Sequence, residues 1–479
     1  MQLYLKSRLK VWMVNALAVF NLNAQALPDL GDPGATLILT PQQAQQLGHS
    51  IFQTLQTAMQ LNEDPIINDY IQTLGNRLVA THRTNPLSYH FFLVKEPKIN
   101  AFALPGGYIG INTGLILQTE TESELAGVLA HEVAHVHLHH IARSLQYQQR
   151  IQLSVLAGLI ASAIIATQDF ETGQGAMAAT LAGSTQAMLN FTRENEEEAD
   201  FVGIHSLAAA GFDPQGMPRF FQRMGDASRY DGRGAPEYLS THPFSEHRML
   251  KATERAQNYP YKQFPDSCHY LLSKARLQVA SFHAPAQAVE YFAGHLANKT
   301  YRSEVSTLYG YGLALFSHKQ LKQAWHVFEQ LAVAYPNEAL FQLALADTEI
   351  EQQHYTKAQA RLKAALNNTP HHYPLILSLA QLMLLTEQAN EALSLLEGAQ
   401  RQLAAQPKIY ALLAQAYTQL QQPEAAHRMQ AEYLLRLGRW QAALTQLRLA
   451  LKLKSLSQYQ QQRIQAQIQA IEGAPIPSL

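Results

Sequence analysis

The chain has 479 residues, enough for roughly two or three domains that each bury their own core. Hydrophobic residues make up 47% of it, which excludes a disordered, collagen-like or wholly coiled-coil chain. The 36 basic and 37 acidic residues exclude a polybasic nucleic-acid binder, and the single cysteine, Cys268, excludes an intrachain disulfide and a cysteine-rich zinc module.

The first 26 residues predict a signal peptide. Three basic residues precede an apolar run over 11–20, and Ala24 and Ala26 supply the small side chains of a cleavage site after Ala26. The apolar run is too short to span a bilayer as a helix. We therefore expect an exported chain in the periplasm of a Gram-negative bacterium. The alternative is an amphipathic N-terminal helix of a cytosolic protein.

A segment with helical character over 121–145 contains the motif HEVAH at 131–135. His131 and His135 lie four residues apart, hence on one helical face about 6 Å apart along the axis, so both imidazoles can reach one metal ion. Glu132 is then placed to deprotonate metal-bound water. This arrangement is typical of zinc metalloproteases.

Three more histidines, His137, His139 and His140, crowd the same segment. In a continuous helix, His139 would lie about 12 Å along the axis from His131, too far to bind the same ion. His137 would point to another side of the helix. We therefore expect all three at the surface or behind the ligands.

A catalytic zinc needs a third protein ligand and an open position. The acidic run RENEEEAD at 193–200 offers Glu196, and Asp200 four residues later would share its helical face. The alternative is a solvated acidic surface, as most charge runs are. Phe191 and Phe201 flank the run and favour partial burial, but the spacing alone leaves both interpretations open.

Between these motifs, residues 151–190 are apolar or small. The strongest part, 151–167, would span about 25 Å as a helix, short of the roughly 30 Å core of a bilayer. We predict peripheral membrane contact rather than a membrane span. A buried hairpin of the core is the alternative.

From about residue 300 onward the sequence repeats with a period of 34. Small and apolar residues recur at fixed offsets, as in Gly312, Ala346, Ala380 and Ala414, in Ala324, Ala358, Ala392 and Ala426, and in Phe328, Leu362 and Leu396. The period predicts stacked helical hairpins of the tetratricopeptide type, whose concave face binds other chains. The alternative is an array that only packs against the first domain.

The two halves of the chain differ in charge. Basic residues outnumber acidic ones by 18 to 13 over 271–479, whereas acidic residues outnumber basic ones by 24 to 15 over 27–270. This difference favours two domains with different partners.

Four motifs in order carry a family resemblance: NAFALPGG at 100–107, HEVAH at 131–135, RENEEEAD at 193–200 and LSTHP at 239–243. The set resembles the zinc metallopeptidases that include the CAAX prenyl protease and the stress protease HtpX. The repeats resemble those of one branch of that family, the BepA-like outer-membrane assembly proteases. The resemblance covers almost the whole chain after residue 26.

The resemblance implies a role for each residue that matches a motif. It makes His131, His135 and Glu196 the ligands of one Zn²⁺ per chain, Glu132 the general base and Asp200 a supporting carboxylate that donates a proton or orients His131. His242 would lie near the metal as a fourth ligand that leaves when substrate arrives, or be a loop histidine without a role. Arg248 would contact the substrate or the oxyanion, and Tyr108, Ile109, Gly110 and Ile111 would form the edge strand that pairs with substrate.

The predicted fold is mainly α: an α+β zincin-type metalloprotease domain with a small sheet, followed by an α-helical tetratricopeptide solenoid. The predicted boundaries are a signal peptide at 1–26, the protease domain at 27–260, a linker with leading helices at 261–300 and the repeats at 301–479.

The resemblance also implies a function. It is that of an exported zinc endopeptidase that degrades misfolded or stalled outer-membrane proteins and assists their assembly, with repeats that dock to the β-barrel assembly machinery. The alternative is a chaperone-like scaffold whose proteolytic activity is latent. A third possibility, an integral prenyl-type protease, conflicts with the cleavable N-terminus and the short apolar run.

Overall fold

The computed structural model describes residues 40–82, 88–148, 170–230, 238–239, 242–243, 245–260, 262–404, 406–454 and 456–472. The predicted signal peptide and the apolar run over 151–167 lie outside the described residues. Among the helices that are described, none combines the length and apolar character that crossing a membrane requires.

Two helices and a small sheet open the described chain. Helix α1 (Pro41–Ala58) begins at Thr40, whose hydroxyl accepts a hydrogen bond from the Gln43 amide, and α2 (Pro65–Val79) begins at Asp64 in the same way. Strands β1 (His90–Val94), β2 (Ala101–Leu104) and β3 (Tyr108–Asn112) follow, and the apolar side chains of β1 and β3 pack against α2.

The sheet has the order β1-β3-β2, with β3 parallel to β1 and antiparallel to β2. The prediction that Tyr108, Ile109, Gly110 and Ile111 form an edge strand is therefore wrong, because β3 is the central strand and both sides of its backbone are paired. β2 is an outer strand, and it packs against the helix that carries HEVAH. A tight turn at Pro105–Gly107 joins β2 to β3, and Gly106 and Gly107 adopt the positive φ values that this turn needs.

The described residues of the catalytic region include five further named helices. They are α3 (Thr113–Gln118), α4 (Glu122–His137), α5 (Phe170–Ala209), α6 (Gly216–Tyr230) and α7 (Glu246–Gln257). Helices α4 and α5 pack side by side at Gly203, where an added Cβ would lie 3.2 Å from the His131 backbone nitrogen. Glycine at this position lets α5 bring the acidic run up to the HEVAH motif.

Helix α4 does not run through to residue 145 as predicted. It ends at His137, and His139 adopts a left-handed backbone with φ 55° before a second helical stretch over 140–148. The Leu138 and His139 amides donate to the carbonyls of Ala134 and Val136, so the turn closes the helix with hydrogen bonds of its own. No glycine or proline marks this break in the sequence, which is why periodicity missed it.

The repeat region consists of paired helices: α10 (Glu304–Ser317), α11 (Leu321–Ala334), α12 (Ala339–Glu351), α13 (Tyr355–Asn368), α14 (Tyr373–Leu385), α15 (Ala389–Gln400), α16 (Pro407–Gln419), α17 (Pro423–Arg436), α18 (Trp440–Leu451) and α19 (Gln458–Glu472). The predicted small residues lie at close helix contacts; the Phe328 ring, for example, packs directly on Gly312. A left-handed residue recurs with the same period of 34, at Lys319, Gln353, Glu387 and Gln421.

Helices α8 (Cys268–Ser281) and α9 (Pro285–Asn298) lie between the two regions. Leu272 and Ala275 of α8 belong to the core of the repeats, whereas Tyr270 and Leu277 belong to the core of the catalytic region. The predicted fold class, a mainly α chain with a small sheet followed by a tetratricopeptide solenoid, is confirmed.

Candidate metal centre

Four side chains from three parts of the chain converge on one point. The Nε2 atoms of His131 and His135 lie 2.9 Å apart, and Glu196 Oε1 lies 3.3 Å from His135 Nε2. His242 completes the group, with Nδ1 3.2 Å from His131 Nε2 and 3.1 Å from each oxygen of Glu196. One ligand atom from each residue lies within 4.8 Å of the others, and all four residues bury most of their surface.

The local folding of three elements places these groups. Helix α4 begins at Thr121, which caps the Glu124 amide, while the Glu124 side chain accepts from the Glu120 amide. The four-residue step from His131 to His135 then puts both rings on the face of α4 that meets α5. The His242 amide donates a hydrogen bond to the Tyr238 carbonyl, and this bond holds His242 beside the two helices.

Asp200 and Arg248 stand behind the first histidine. Asp200 Oδ1 lies 2.9 Å from His131 Nδ1, on the side of the ring away from the convergence point. The Arg248 guanidinium donates to both Asp200 oxygens at 2.8 and 2.9 Å and lies 2.8 Å from Glu196 Oε2. Arg248 also donates to the Pro243 carbonyl, so these contacts engage four of the five N–H groups of its guanidinium. Its contact with substrate or oxyanion stays a prediction.

The charges of the cluster do not balance on their own. Glu132, Glu196 and Asp200 are almost fully buried and face a single buried guanidinium, that of Arg248. With neutral imidazoles, two negative charges remain in a site of low dielectric, which is costly. The Nε2 atoms of His131 and His135 face each other 2.9 Å apart, which likewise suits a cation bound by both. The donor set of two imidazoles, a carboxylate and a further imidazole therefore fits one divalent metal ion.

The buried carboxylates and histidines shift one another's pKa values. Burial alone would lower the pKa of His131, but its hydrogen bonds to Asp200 and Glu196 raise it to about 10. Burial lowers the pKa of His135 to about 3. Despite burial, His242 and the other imidazoles hold the pKa of Glu196 well below its ordinary value. A proton on His131 thus balances part of the negative charge, and a metal ion must displace it.

Glu132 has a different environment. Burial raises its pKa, against the opposing effect of His242 and His131. His242 Nε2 lies 3.4 Å from Glu132 Oε1, and the Ala103 backbone lies beside the same carboxylate. A buried carboxylate whose pKa is raised is poised to accept a proton from a group that enters the site.

Sequence reasoning expected His140 at the surface or behind the ligands, and it missed Tyr238 and Asn195. The Tyr238 ring stacks on His242 at a centroid distance of 4.7 Å, Asn195 is buried beside Glu196, and His140 contacts His135. Tyr238 lies directly before the LSTHP motif, and Asn195 lies inside RENEEEAD, so each sat next to a recognised signal. His140 could be placed only by the turn at His139.

Comparisons with known proteins agree with this geometry. Family models match at two places, Peptidase family M48 over residues 65–256 and Tetratricopeptide repeat over residues 349–416. The Beta-barrel assembly-enhancing protease of Yersinia pestis is 34% identical over 392 residues, 81% of this chain and 80% of that protein. That of Escherichia coli (strain K12) is 32% identical over 473 residues, 97% of this chain and 96% of that protein. This chain belongs to peptidase family M48.

A more distant relative matches a shorter part of the chain. The Mitochondrial metalloendopeptidase OMA1 of Schizosaccharomyces pombe is 29% identical over 201 residues, 42% of this chain and 56% of that protein. The M48 match contains every residue of the convergent cluster, from His131 to Arg248. The chain is therefore a metalloprotease, and its family implies a bound metal.

Proposed function

We propose that this M48 peptidase is an exported zinc endopeptidase that degrades misfolded or stalled outer-membrane proteins and assists their assembly. The observation that carries the proposal is the buried group of His131, His135 and Glu196, with Glu132 beside it. The printed names of relatives that match most of the chain, beta-barrel assembly-enhancing protease, favour this class of substrate.

In this proposal His131, His135 and Glu196 hold one Zn²⁺ per chain. When bound, the ion would lower the pKa of a water molecule and polarise the scissile carbonyl. Glu132 takes the proton from that water and passes it to the leaving amine, which its raised pKa favours. Asp200 holds the Nδ1 proton of His131 and so keeps its Nε2 lone pair free for the metal, while Arg248 fixes Asp200 and Glu196.

His242 acts as a removable fourth ligand. Its Nδ1 lies close enough to His131 and Glu196 to share their metal, and a site with four protein ligands is closed to water. Its Nε2 also lies beside Glu132, so the same ring blocks the base. Because His242 itself is not helical and its ring is held by stacking on Tyr238, arrival of substrate can displace it.

The outer edge of β2 binds the substrate backbone. β2 packs against α4, and the backbone of Ala103 lies beside Glu132, so a peptide paired with Ala101–Leu104 would pass the metal. This assignment replaces β3, whose edges are both occupied. Pairing of an extended chain with a strand edge accepts many sequences, which suits unfolded substrates.

The remaining parts of the proposal concern location and partners. Cleavage after Ala26 releases the chain into the periplasm, residues 151–190 contact the outer membrane peripherally, and the repeats from residue 301 dock to the β-barrel assembly machinery. We place the protease domain at 27–260 and the leading helices at 261–300, because α8 contributes to both cores.

One observation favours the second candidate function, a chaperone-like scaffold with latent proteolysis. His242 contacts both Glu132 and Glu196, so the arrangement described here is closed. A protein that rests in this form binds unfolded chains without cutting them.

One assay separates the two functions. An unfolded outer-membrane β-barrel protein is incubated with the purified chain, with Glu132→Gln and with His242→Ala, and zinc content is measured in parallel. The protease proposal expects slow cleavage by the wild type, none by Glu132→Gln with zinc retained, and faster cleavage by His242→Ala. Suppressed aggregation of the substrate without cleavage by any of the three would establish the scaffold instead. Loss of cleavage in His242→Ala with zinc still bound would show that His242 assists catalysis and does not block it.

A further inference from the structure

His140 lies directly behind a predicted metal ligand. The left-handed turn at His139 reverses the chain after α4, and His140 returns toward the helix, where it is 3% exposed. Its Nδ1 lies 2.9 Å from the Nδ1 of His135, the ring nitrogen that faces away from the convergence point. His140 therefore contacts the one atom of the His135 ring that a metal ion would leave free.

The proton positions follow from this contact. If His135 binds a metal through Nε2, its Nδ1 carries the ring proton and donates it. His140 Nδ1 must then accept, so His140 carries its own proton on Nε2. That nitrogen lies 3.2 Å from Glu198 Oε2, an acceptor. Every nitrogen of both rings then has a partner of the correct type, in a chain that runs from the metal position to Glu198.

Arg143 ends this series of hydrogen bonds. It lies one turn after His140 in the helical stretch over 140–148, and its Nη1 donates to Glu198 Oε2 at 2.7 Å. Glu198 lies in the acidic run between Glu196 and Asp200, but it points to the other side of the metal position. The two predicted histidine ligands thus have the same kind of support, a carboxylate held by an arginine.

The carboxylate–arginine pairs behind His131 and His135 differ in two ways: whether the carboxylate contacts the histidine directly, and how exposed the pair is to solvent. Asp200 contacts His131 directly, and the side chains of Asp200 and Arg248 are 1% and 4% exposed. Glu198 reaches His135 only through His140, and the side chains of Glu198 and Arg143 are 41% and 37% exposed. Water can replace a hydrogen bond made by the exposed Glu198 or Arg143 side chain. It cannot replace His140, because His140 is buried against His135.

We propose that His140, oriented by Glu198, is a positioning residue that fixes the ring and the tautomer of His135 for metal binding. The inference rests on the proposed role of His135 as a ligand. His137 differs from His140, because its ring lies tilted against the His82 ring at a centroid distance of 4.2 Å, away from the site. Loss of such an outer hydrogen-bond partner typically lowers metal affinity or activity about 10- to 100-fold.

The test measures metal binding without relying on cleavage. Zn²⁺ affinity is determined by competition with a chromophoric chelator, and the visible absorption spectrum is recorded after loading with Co²⁺. The variants are His140→Phe, which removes the acceptor, and His140→Asn, whose amide oxygen can take the place of Nδ1. Glu198→Ala and the matched control His137→Phe complete the set, with Glu196→Gln as the variant that loses a ligand.

We expect His140→Phe to bind Zn²⁺ roughly 10- to 100-fold more weakly and to change the Co²⁺ spectrum. His140→Asn should recover most of the affinity, Glu198→Ala should lose severalfold, and His137→Phe should equal the wild type. Wild-type affinity and spectrum in both His140→Phe and Glu198→Ala would overturn the proposal, even if cleavage fell. Equal loss in His140→Asn and His140→Phe, with both folded by circular dichroism, would overturn it too. A wild-type chain that binds no Zn²⁺ would overturn the proposed function as well.

Discussion

The catalytic region and the repeat region bury opposite kinds of side chain. The centre of the catalytic region buries Glu132, Glu196, Asp200 and Arg248, which come from three separate segments of the chain. The core of the repeats is built almost entirely from alanine, leucine and aromatic residues that meet their neighbours within one or two helices. The first region therefore needs a bound cation to balance its interior, whereas the second needs only its neighbouring hairpins.

The two regions are nevertheless joined closely. Arg276 of α8 donates to Asp64, the cap of α2, at 2.7 and 3.0 Å and to the Tyr309 hydroxyl of the first repeat helix at 3.0 Å. At the other end of the array, Trp440 donates to Gln53 of α1 at 2.8 Å, and His49 of α1 contacts the Tyr108 hydroxyl next to the sheet. A change in one region can thus reach the other.

The largest expected effect is on the charged interior of the catalytic region. Glu196→Gln removes a ligand charge and should lower Zn²⁺ affinity on the order of a thousandfold, because loss of an outer hydrogen-bond partner alone costs about 10- to 100-fold. Metal analysis after dialysis against a weak chelator measures this loss. The control is Glu197→Gln, whose carboxylate pairs with Lys251 outside the cluster and whose loss should leave the zinc in place. Equal zinc in the two variants would show that Glu196 is not a ligand.

The next effect concerns the apolar core of the repeats. Phe328 is 1% exposed and packs on Gly312, so Phe328→Ala should lower the free energy of unfolding of the repeats by about 3–4 kcal/mol through lost burial and a cavity. Val333→Ala on the same helix, where the side chain is 76% exposed, should change it by less than about 0.5 kcal/mol. Thermal unfolding gives both values. Zinc content should not change, and a metal loss in Phe328→Ala would show that the two regions unfold as one.

The smallest effect concerns Asp347, an acidic residue of the repeats. Burial raises the pKa of Asp347 to about 6, although the Ser378 hydroxyl donates to it. Its folded pKa exceeds the ordinary value, so its contribution to stability is present below about pH 4 and is lost as the pH rises through about 6. Asp347→Asn should therefore stabilise the repeats at pH 8 by roughly 1–2 kcal/mol and have little effect at pH 4.

The measurement for Asp347 is the midpoint of thermal unfolding as a function of pH. Glu351→Gln, which removes an exposed carboxylate on the same helix, is the control and should change the midpoint little at either pH, because its ion pair with Lys319 is exposed. A wild-type pH profile in Asp347→Asn would mean that the carboxyl keeps its charge in the folded repeats.

The sequence determined those features of the protein that are encoded over short distances. The four-residue step of His131 and His135, the capping Thr121 and the period of 34 follow from helix geometry, which local spacing reveals. The pairing of Glu196 with these histidines needed more than spacing, because an acidic run on the surface has the same pattern.

Tertiary structure alone decided what depends on segments that meet after folding. Strand order in the sheet is set by packing against α2 and α4, so β3 became central although its sequence resembles an edge strand as well as a core strand. The turn at His139 is stabilised by hydrogen bonds and by the burial of His140 behind His135, and not by a glycine or proline. Both depend on contacts between residues distant in sequence or in helical phase, and a pattern along one segment carries no information about its partner.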